Sequence, residues 1–464
     1  MSSTPSTPST QEVIDQYDSP VLASRAAPLG HPNIESRLVA EYSDWRQEQK
    51  SWRDGAAFLH QSEHMSDFFV KGPDALKVFR DLSINGYRTF TPGQAKQFVA
   101  LSPEGLIIGD GILMQLEENS FDLIGDATLA MWVQYNIEIG DYDVEFTADH
   151  PNHWFTPLRS RETDPILYRF EVQGPKALQV IEKAIGGAVP EVKLFNMTEF
   201  TIAGHTVNAV RHGMAGQPGF EFFGPYAEGE DVRSAILEAG AEFGITPVGS
   251  IAYFTTNLES GWFVATPALL AGESMRAFRE WLPANVGVLP YTGSYKPENI
   301  EDYYLTPYDI GYDFMVSNEH EFIGREALAA RDPKLLKTKV TLIWDEDDFG
   351  KLYTDTVKPE TGLPPQFRSL HDVSFESINF DAVQVDGKTI GFTAQSGYVA
   401  DDRRFISLAA IDPVFAEPGT QVTILWGDDV NPPRADIAPH AQVSVRATVA
   451  PTPFSDYARE QYRK

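Results

Sequence analysis

The stretch HQSEH places His60, Glu63 and His64 in an H-x-x-E-H pattern, which on a helix turns two imidazoles and a carboxylate toward one zinc ion. That chemistry needs the helix and a further acidic ligand. The residues that follow, MSDFFVKG, alternate as a strand instead, so no metal site is expected. A second notable carboxylate is Glu221 in GQPGFEFFGPY, set among glycines and aromatic rings where an unpaired charge is costly to bury. The glycines of RHGMAGQPGFE follow neither phosphate-binding fingerprint. The chain has no cysteine, which excludes disulfides, thiolate nucleophiles and Cys-ligated zinc.

The elements around these residues carry an internal echo. FVKGPDALKVF, residues 69–79, returns as EVQGPKALQVI, residues 171–181. Each copy reads as a strand, a Gly-Pro corner and a helix. Ala75, Val78, Phe79 and Leu82 recur at i, i+3, i+4 and i+7, and Ala177, Val180, Ile181 and Ala184 repeat that spacing. Proline suits the first helical turn and glycine the tight corner. Two such α+β halves are expected to enclose a ligand cleft, and FIGREALAA from 322 is a weaker third echo. WVQYNIEIG and YDVEFTA read as strands, and EDVRSAILEAGAEFG as an amphipathic helix. From residue 338 the texture becomes short strands split by Asp-Gly and Pro-Gly turns, with little helical pattern.

Composition narrows the function classes. With 464 residues, 42% hydrophobic and 12% aromatic, the chain can bury more than one core. The formal net charge of −29 repels phosphate backbones and anionic lipid surfaces, so neither nucleic acid nor membrane is an expected partner. The opening MSSTPSTPST has no apolar run and reads as a disordered tail rather than a signal peptide, which makes a cytoplasmic protein the expectation.

GPDALK, AKQFV, IGDGI, QGPKA, RHGMAGQPGFE, GPY, LESGW, NIEDYYLTP and FIGREAL run collinearly from about Tyr42 to the C-terminus. Together they resemble the glycine-cleavage T-protein (aminomethyltransferase) family, and within it the tetrahydrofolate-dependent aryl O-demethylases of lignin aromatics. The resemblance implies an α+β fold: two intertwined α+β subdomains around a folate channel, plus a C-terminal β-barrel. The expected division is a disordered tail at 1–30, the folate-binding body at 31–337, the barrel at 338–450 and a C-terminal tail or packed strap at 451–464. By the same resemblance Gln61, Ile124, Gln173, Glu221 and Trp262 line the folate, Glu221 accepting N–H bonds from the pterin. Tyr253 and His64 match catalytic positions. A phenol there can donate to a departing phenolate oxygen, or accept a proton if its pKa is lowered.

Two departures concern the arene side. Where vanillate-type enzymes carry an arginine for the substrate carboxylate, this chain aligns Asp126, an anion that repels such a group. The tyrosine-rich segment of the family reads HPNIESRLVAEYSDW here, with Asn33 and Glu35 at tyrosine positions and Tyr42 as a substitute contact. The expected substrate is therefore a neutral phenolic aromatic, its methyl group passed to tetrahydrofolate, with Asp126 accepting a hydrogen bond from it. The alternative is a folate-independent lyase that releases formaldehyde from a hydroxymethyl group of a phenolic lignin dimer. Glycine cleavage itself and a non-enzymatic folate-binding module are the remaining readings.

Overall fold

The computed structural model describes residues 8–28, 39–149, 164–359, 362–370, 378–429 and 437–462. Asn33 and Glu35 lie outside them. Strands β1 (Ala56–His60), β2 (Ser66–Lys71), β3 (Gln94–Leu101), β4 (Ile107–Glu117), β5 (Ser120–Gly125) and β6 (Glu145–Asp149) belong to the first half. β7 (Leu167–Gln173), β8 (Met197–Ile202), β9 (His205–Val210), β10 (Gly219–Pro225) and β11 (Ile245–Val248) follow. They form a five-stranded sheet in the order β3-β4-β5-β2-β6 and a six-stranded sheet in the order β11-β1-β7-β10-β9-β8. β1 is first in the chain yet sits in the second half's sheet, against β7 and β11. This exchange is what intertwines the two halves.

The repeated sequence forms the two matching corners. β2 runs through Gly72 into helix α1 (Ala75–Leu82), and β7 through Gly174 into helix α2 (Ala177–Ile185). Gly72 and Gly174 have φ of 142° and 128°. A Cβ on either would lie 2.5 Å from a backbone oxygen, of Asp143 or Gly55, so both conformation and space require glycine. The four apolar positions of the first helix are buried, as are Ala177, Val180 and Ile181 of the second, with Ala184 packed beside them. FIGREALAA does contain a left-handed glycine, Gly324, leading into the helix Arg325–Ala329, but no strand precedes it.

Strands Thr338–Trp344, Asp381–Val385, Lys388–Val399, Arg404–Ile411, Gln421–Trp426 and Val443–Ala450 close into a barrel, filled by residues such as Trp344 and Trp426, whose rings meet edge to face at 5.5 Å.

Three sequence expectations need correction. WVQYNIEIG is not a strand: it lies in helix α3 (Ala127–Ile139), started by the Asp126 side chain, which accepts N–H bonds from Thr128 and Leu129. This helix is apolar on nearly every side, so its sequence lacks the periodicity that separates helix from strand. The barrel region also contains a helix, Glu346–Val357, capped by Asp345 and with three acidic residues in its first turn, which favour the positive end of the helix dipole.

Nor is the N-terminal segment a loose tail over residues 8–28. Ser9 and Glu12 form a reciprocal capping box on the helix Thr10–Ile14, and Ser19 caps Pro20–Ala26. The Thr10 amide donates to the Leu282 carbonyl at 2.7 Å. Arg25, 1% exposed, donates to Asp428 (2.7 Å) and to the Gly293 and Asp429 carbonyls, so this segment is held by the body and by residues just beyond the last-but-one barrel strand. At the other terminus, Ser455 caps Asp456–Glu460 and the Tyr462 hydroxyl donates to the Gly213 carbonyl at 3.1 Å, a packed strap. Among the described residues, no helix is long and apolar enough to cross a membrane.

Candidate active site

The site is built on β7. Its sequence LYRFEVQ alternates, so Tyr168, Phe170 and Val172 pack with the second helix while Arg169, Glu171 and Gln173 share the opposite face, all three 0% exposed. The Arg169 guanidinium donates to Asp67 (2.5 and 2.8 Å), Asp122 (2.6 Å) and Glu221 (2.9 Å). Three carboxylates around one cation cannot all stay ionised away from water. Burial, and then the neighbouring Asp67, push Asp122 well above the usual carboxylate range. Glu221 is raised by burial and drawn back by Arg169.

Glu171 accepts the Met214 amide (2.8 Å) and the Gln61 side-chain amide (2.7 Å). Burial and the facing Glu221 push its pKa well up. The same Gln61 nitrogen donates to the Tyr253 hydroxyl at 3.3 Å. Burial, then the nearness of Glu171, raise Tyr253 well above the phenol range. The direction of this shift keeps the Tyr253 hydroxyl protonated and runs against a lowered phenol pKa.

These groups meet a cavity of about 1030 Å³ whose walls come from both sheets, the barrel and the C-terminal strap, at the upper end of the range for small-ligand and cofactor sites. Ile124, Asp126, Glu221, Tyr253 and Trp262 line it. Gln61 and Gln173 stand behind that wall. Gln61 joins Glu171 to Tyr253, while the Gln173 side-chain amide oxygen accepts the Ala215 N–H at 3.0 Å and its amide nitrogen lies against Gly213. His64 meets Tyr253 edge to face at 4.8 Å, inside a small recess on that tyrosine's other side that Tyr42 and His60 share. Tyr42 is 42% exposed and does not reach the large cavity.

Asp126 has a structural task as well. It borders the cavity, but one carboxylate oxygen is spent on the two helix amides, at 2.7 and 3.0 Å. The H-x-x-E-H stretch has no helix: His60 ends β1 and the next residues turn. Among the described residues no group of three or more His, Asp or Glu could hold a metal ion.

Sequence reasoning missed Arg169, Glu171 and Asp110. The first two were signalled by the polar alternation within LYRFEVQ. Asp110, between the glycines of IGDGI, lines the cavity and accepts from Gln97 (2.5 Å), Trp262 (2.8 Å) and Tyr312 (3.1 Å). Burial raises its pKa.

A pseudo-duplicated α+β body closed by a barrel around one cavity defines an aminomethyltransferase-like protein. The solved glycine cleavage system aminomethyltransferase T from Bartonella henselae shares that fold, with a TM-score of 0.62, 16% identity, and 94% of this chain and 95% of that one covered. The GCVT N-terminal domain family matches residues 36–267. A syringate O-demethylase from a Sphingobium species is 40% identical over 98% of this chain and 97% of its own. A sesamin methylene transferase from a Sinomonas species is 29% identical over 83% of each. The chain belongs to the glycine-cleavage T-protein (aminomethyltransferase) family and is an enzyme of its methyl-transferring branch.

Proposed function

We propose that this enzyme removes the methyl group of an aryl methyl ether of the lignin type, using tetrahydrofolate as acceptor. The observation that carries the reading is one cavity lined by both Glu221 and Tyr253. Arg169 occupies one Glu221 oxygen, and the other accepts no bond among the described residues. That oxygen suits the N–H edge of an aminopyrimidine, and the volume suits a pterin with an arene beside it. Bound tetrahydrofolate supplies the nitrogen that receives the methyl group.

The chain's own part is to hold and to donate. Glu221 orients the heterocycle, with Arg169 fixing the carboxylate in turn. Ile124 and Trp262 offer flat apolar wall, and Asp110 holds the indole N–H. Tyr253 keeps its proton at neutral pH, so its O–H can donate to the ether oxygen as the carbon–oxygen bond breaks and phenolate charge develops. His64 packs on the tyrosine ring and sets its orientation. The neutral-phenol reading of the substrate rests on Asp126 standing where a cation would recruit a carboxylate.

The test is a panel of methoxyphenols and methoxybenzoates, with and without tetrahydrofolate, read for methyl-tetrahydrofolate and for formaldehyde. Methyl-tetrahydrofolate formed only when folate is present supports the proposal. Formaldehyde released at full rate without folate overturns it in favour of lyase chemistry.

A further inference from the structure

Lys96, on β3, lines the same cavity from the five-stranded sheet, while Glu221 lines it from the six-stranded one. Every carboxylate on the cavity wall considered above is engaged: Asp110 by three donors, Asp126 by two amides, Glu221 by Arg169. Lys96 is not matched in that way. Its ammonium donates to the Gly86 carbonyl and lies 4.3 and 4.8 Å from the ring centres of Tyr87 and Phe90. No carboxylate approaches within 4 Å among the described residues, and the nearest influence, Glu319, is already paired with Arg88 at 3.1 Å.

An ammonium has three N–H groups, and one carbonyl with two ring faces leaves it without an anion. Burial pushes its pKa down to about 8, the mark of a cation short of solvent and of counter-charge. Asn85, Phe314 and Met315 also line the cavity, and Phe314 is an exposed ring.

We infer that Lys96 is a carboxylate-binding subsite of the cavity, taking the acid group of a ligand whose planar part lies deeper in. This rests on the functional reading above and adds to it a ligand group that none of the expected site residues can receive. Two ligand classes carry such a group: the glutamate tail of a folate, which the proposed reaction uses, and the carboxylate of an aromatic acid, which would replace the neutral phenol as substrate.

Calorimetric titration of the full-length protein and of Lys96→Met and Lys96→Arg separates them. The paired probes are 5-formyltetrahydrofolate against 6-methyltetrahydropterin, and 4-hydroxy-3-methoxybenzoate against its methyl ester. Lys96→Met is expected to weaken one acid at least tenfold while leaving its carboxylate-free counterpart within twofold, which also shows the variant folded. Lys96→Arg should restore most of the loss. Selective loss of the folate assigns the subsite to the tail; selective loss of the benzoate assigns it to the substrate. If the unaltered protein binds these acids and Lys96→Met discriminates in neither pair, the Lys96 assignment is wrong and the functional reading stands. If the unaltered protein binds neither acid, both fall.

Discussion

Glu171 and Glu221 stand directly opposite each other on the antiparallel strands β7 and β10, and Arg169 pairs with Glu221. Like charges in that register repel, so the pair is settled by giving Glu221 the cation and leaving Glu171 to neutral hydrogen bonds. The two facing strands thereby present one carboxylate paired with a cation toward the cavity and one, its pKa pushed up by burial, toward Tyr253.

A pH dependence follows, and its sign is fixed. Glu171 and Asp122 are raised in the folded state, both by burial first. Below about pH 4 both folded and unfolded chains hold these protons. Above it the unfolded chain releases them while the fold does not, so stability falls with rising pH, by up to about 1.4 kcal/mol per pH unit for each such group. Urea midpoints from pH 5 to 8 should decline in the native protein and decline less in Glu171→Gln. Parallel slopes would count against a protonated Glu171.

Tyr253→Phe keeps the ring against His64 and removes only the donor. Demethylation should drop about 100-fold or more, with the urea midpoint little changed. Because Tyr253 titrates well above the phenol range, the rate of the native enzyme should show no alkaline limb from this group below about pH 10. A Phe variant of unaltered rate would remove Tyr253 from the chemistry.

Asp126 separates capping from specificity. Asp126→Ala loses two helix-cap bonds and should cost about 1 kcal/mol, whereas Asp126→Asn keeps an acceptor and should cost a few tenths. If Asp126 also governs the substrate, Asp126→Asn should shift the rate ratio between a methoxybenzoate and its methyl ester toward the acid. An unchanged ratio would leave Asp126 as a cap alone.

The N-terminal segment is expected to stabilise the body. Arg25→Ala breaks the buried ion pair to Asp428 and the bonds to two backbone carbonyls, a loss of about 3–5 kcal/mol by analogy with other broken buried pairs. Thermal unfolding of this variant, beside that of a chain lacking residues 1–28, should show a lowered midpoint in both.

Much of the fold was legible because its signals are local. The Gly-Pro corners, the i, i+3, i+4 spacing of Ala75 through Leu82 and the turn-rich texture after residue 338 each act over a few residues. The helix holding Trp132 was misread because burial on nearly all sides erases periodicity. Residues 8–28 were misread although Ser9-x-x-Glu12 spells a capping box, since two short helices gain their stability from the surfaces they dock on.

For the site, the sequence by itself determined which chemical groups were available: a carboxylate among glycines and rings, a tyrosine nine residues before a tryptophan, and a strand with one polar face. It could not determine their charge states or company. Glu221 is paired because Arg169, 52 residues away in sequence, reaches it from the next strand. The pKa of Glu171 is pushed up because burial removes water and the register sets Glu221 opposite. Asp126 caps a helix, and Lys96 has no carboxylate within 4 Å among the described residues, for the same kind of reason. Charge and hydrogen-bond partnership depend on distance and solvent exclusion between segments far apart in the chain, and only the tertiary structure decides those.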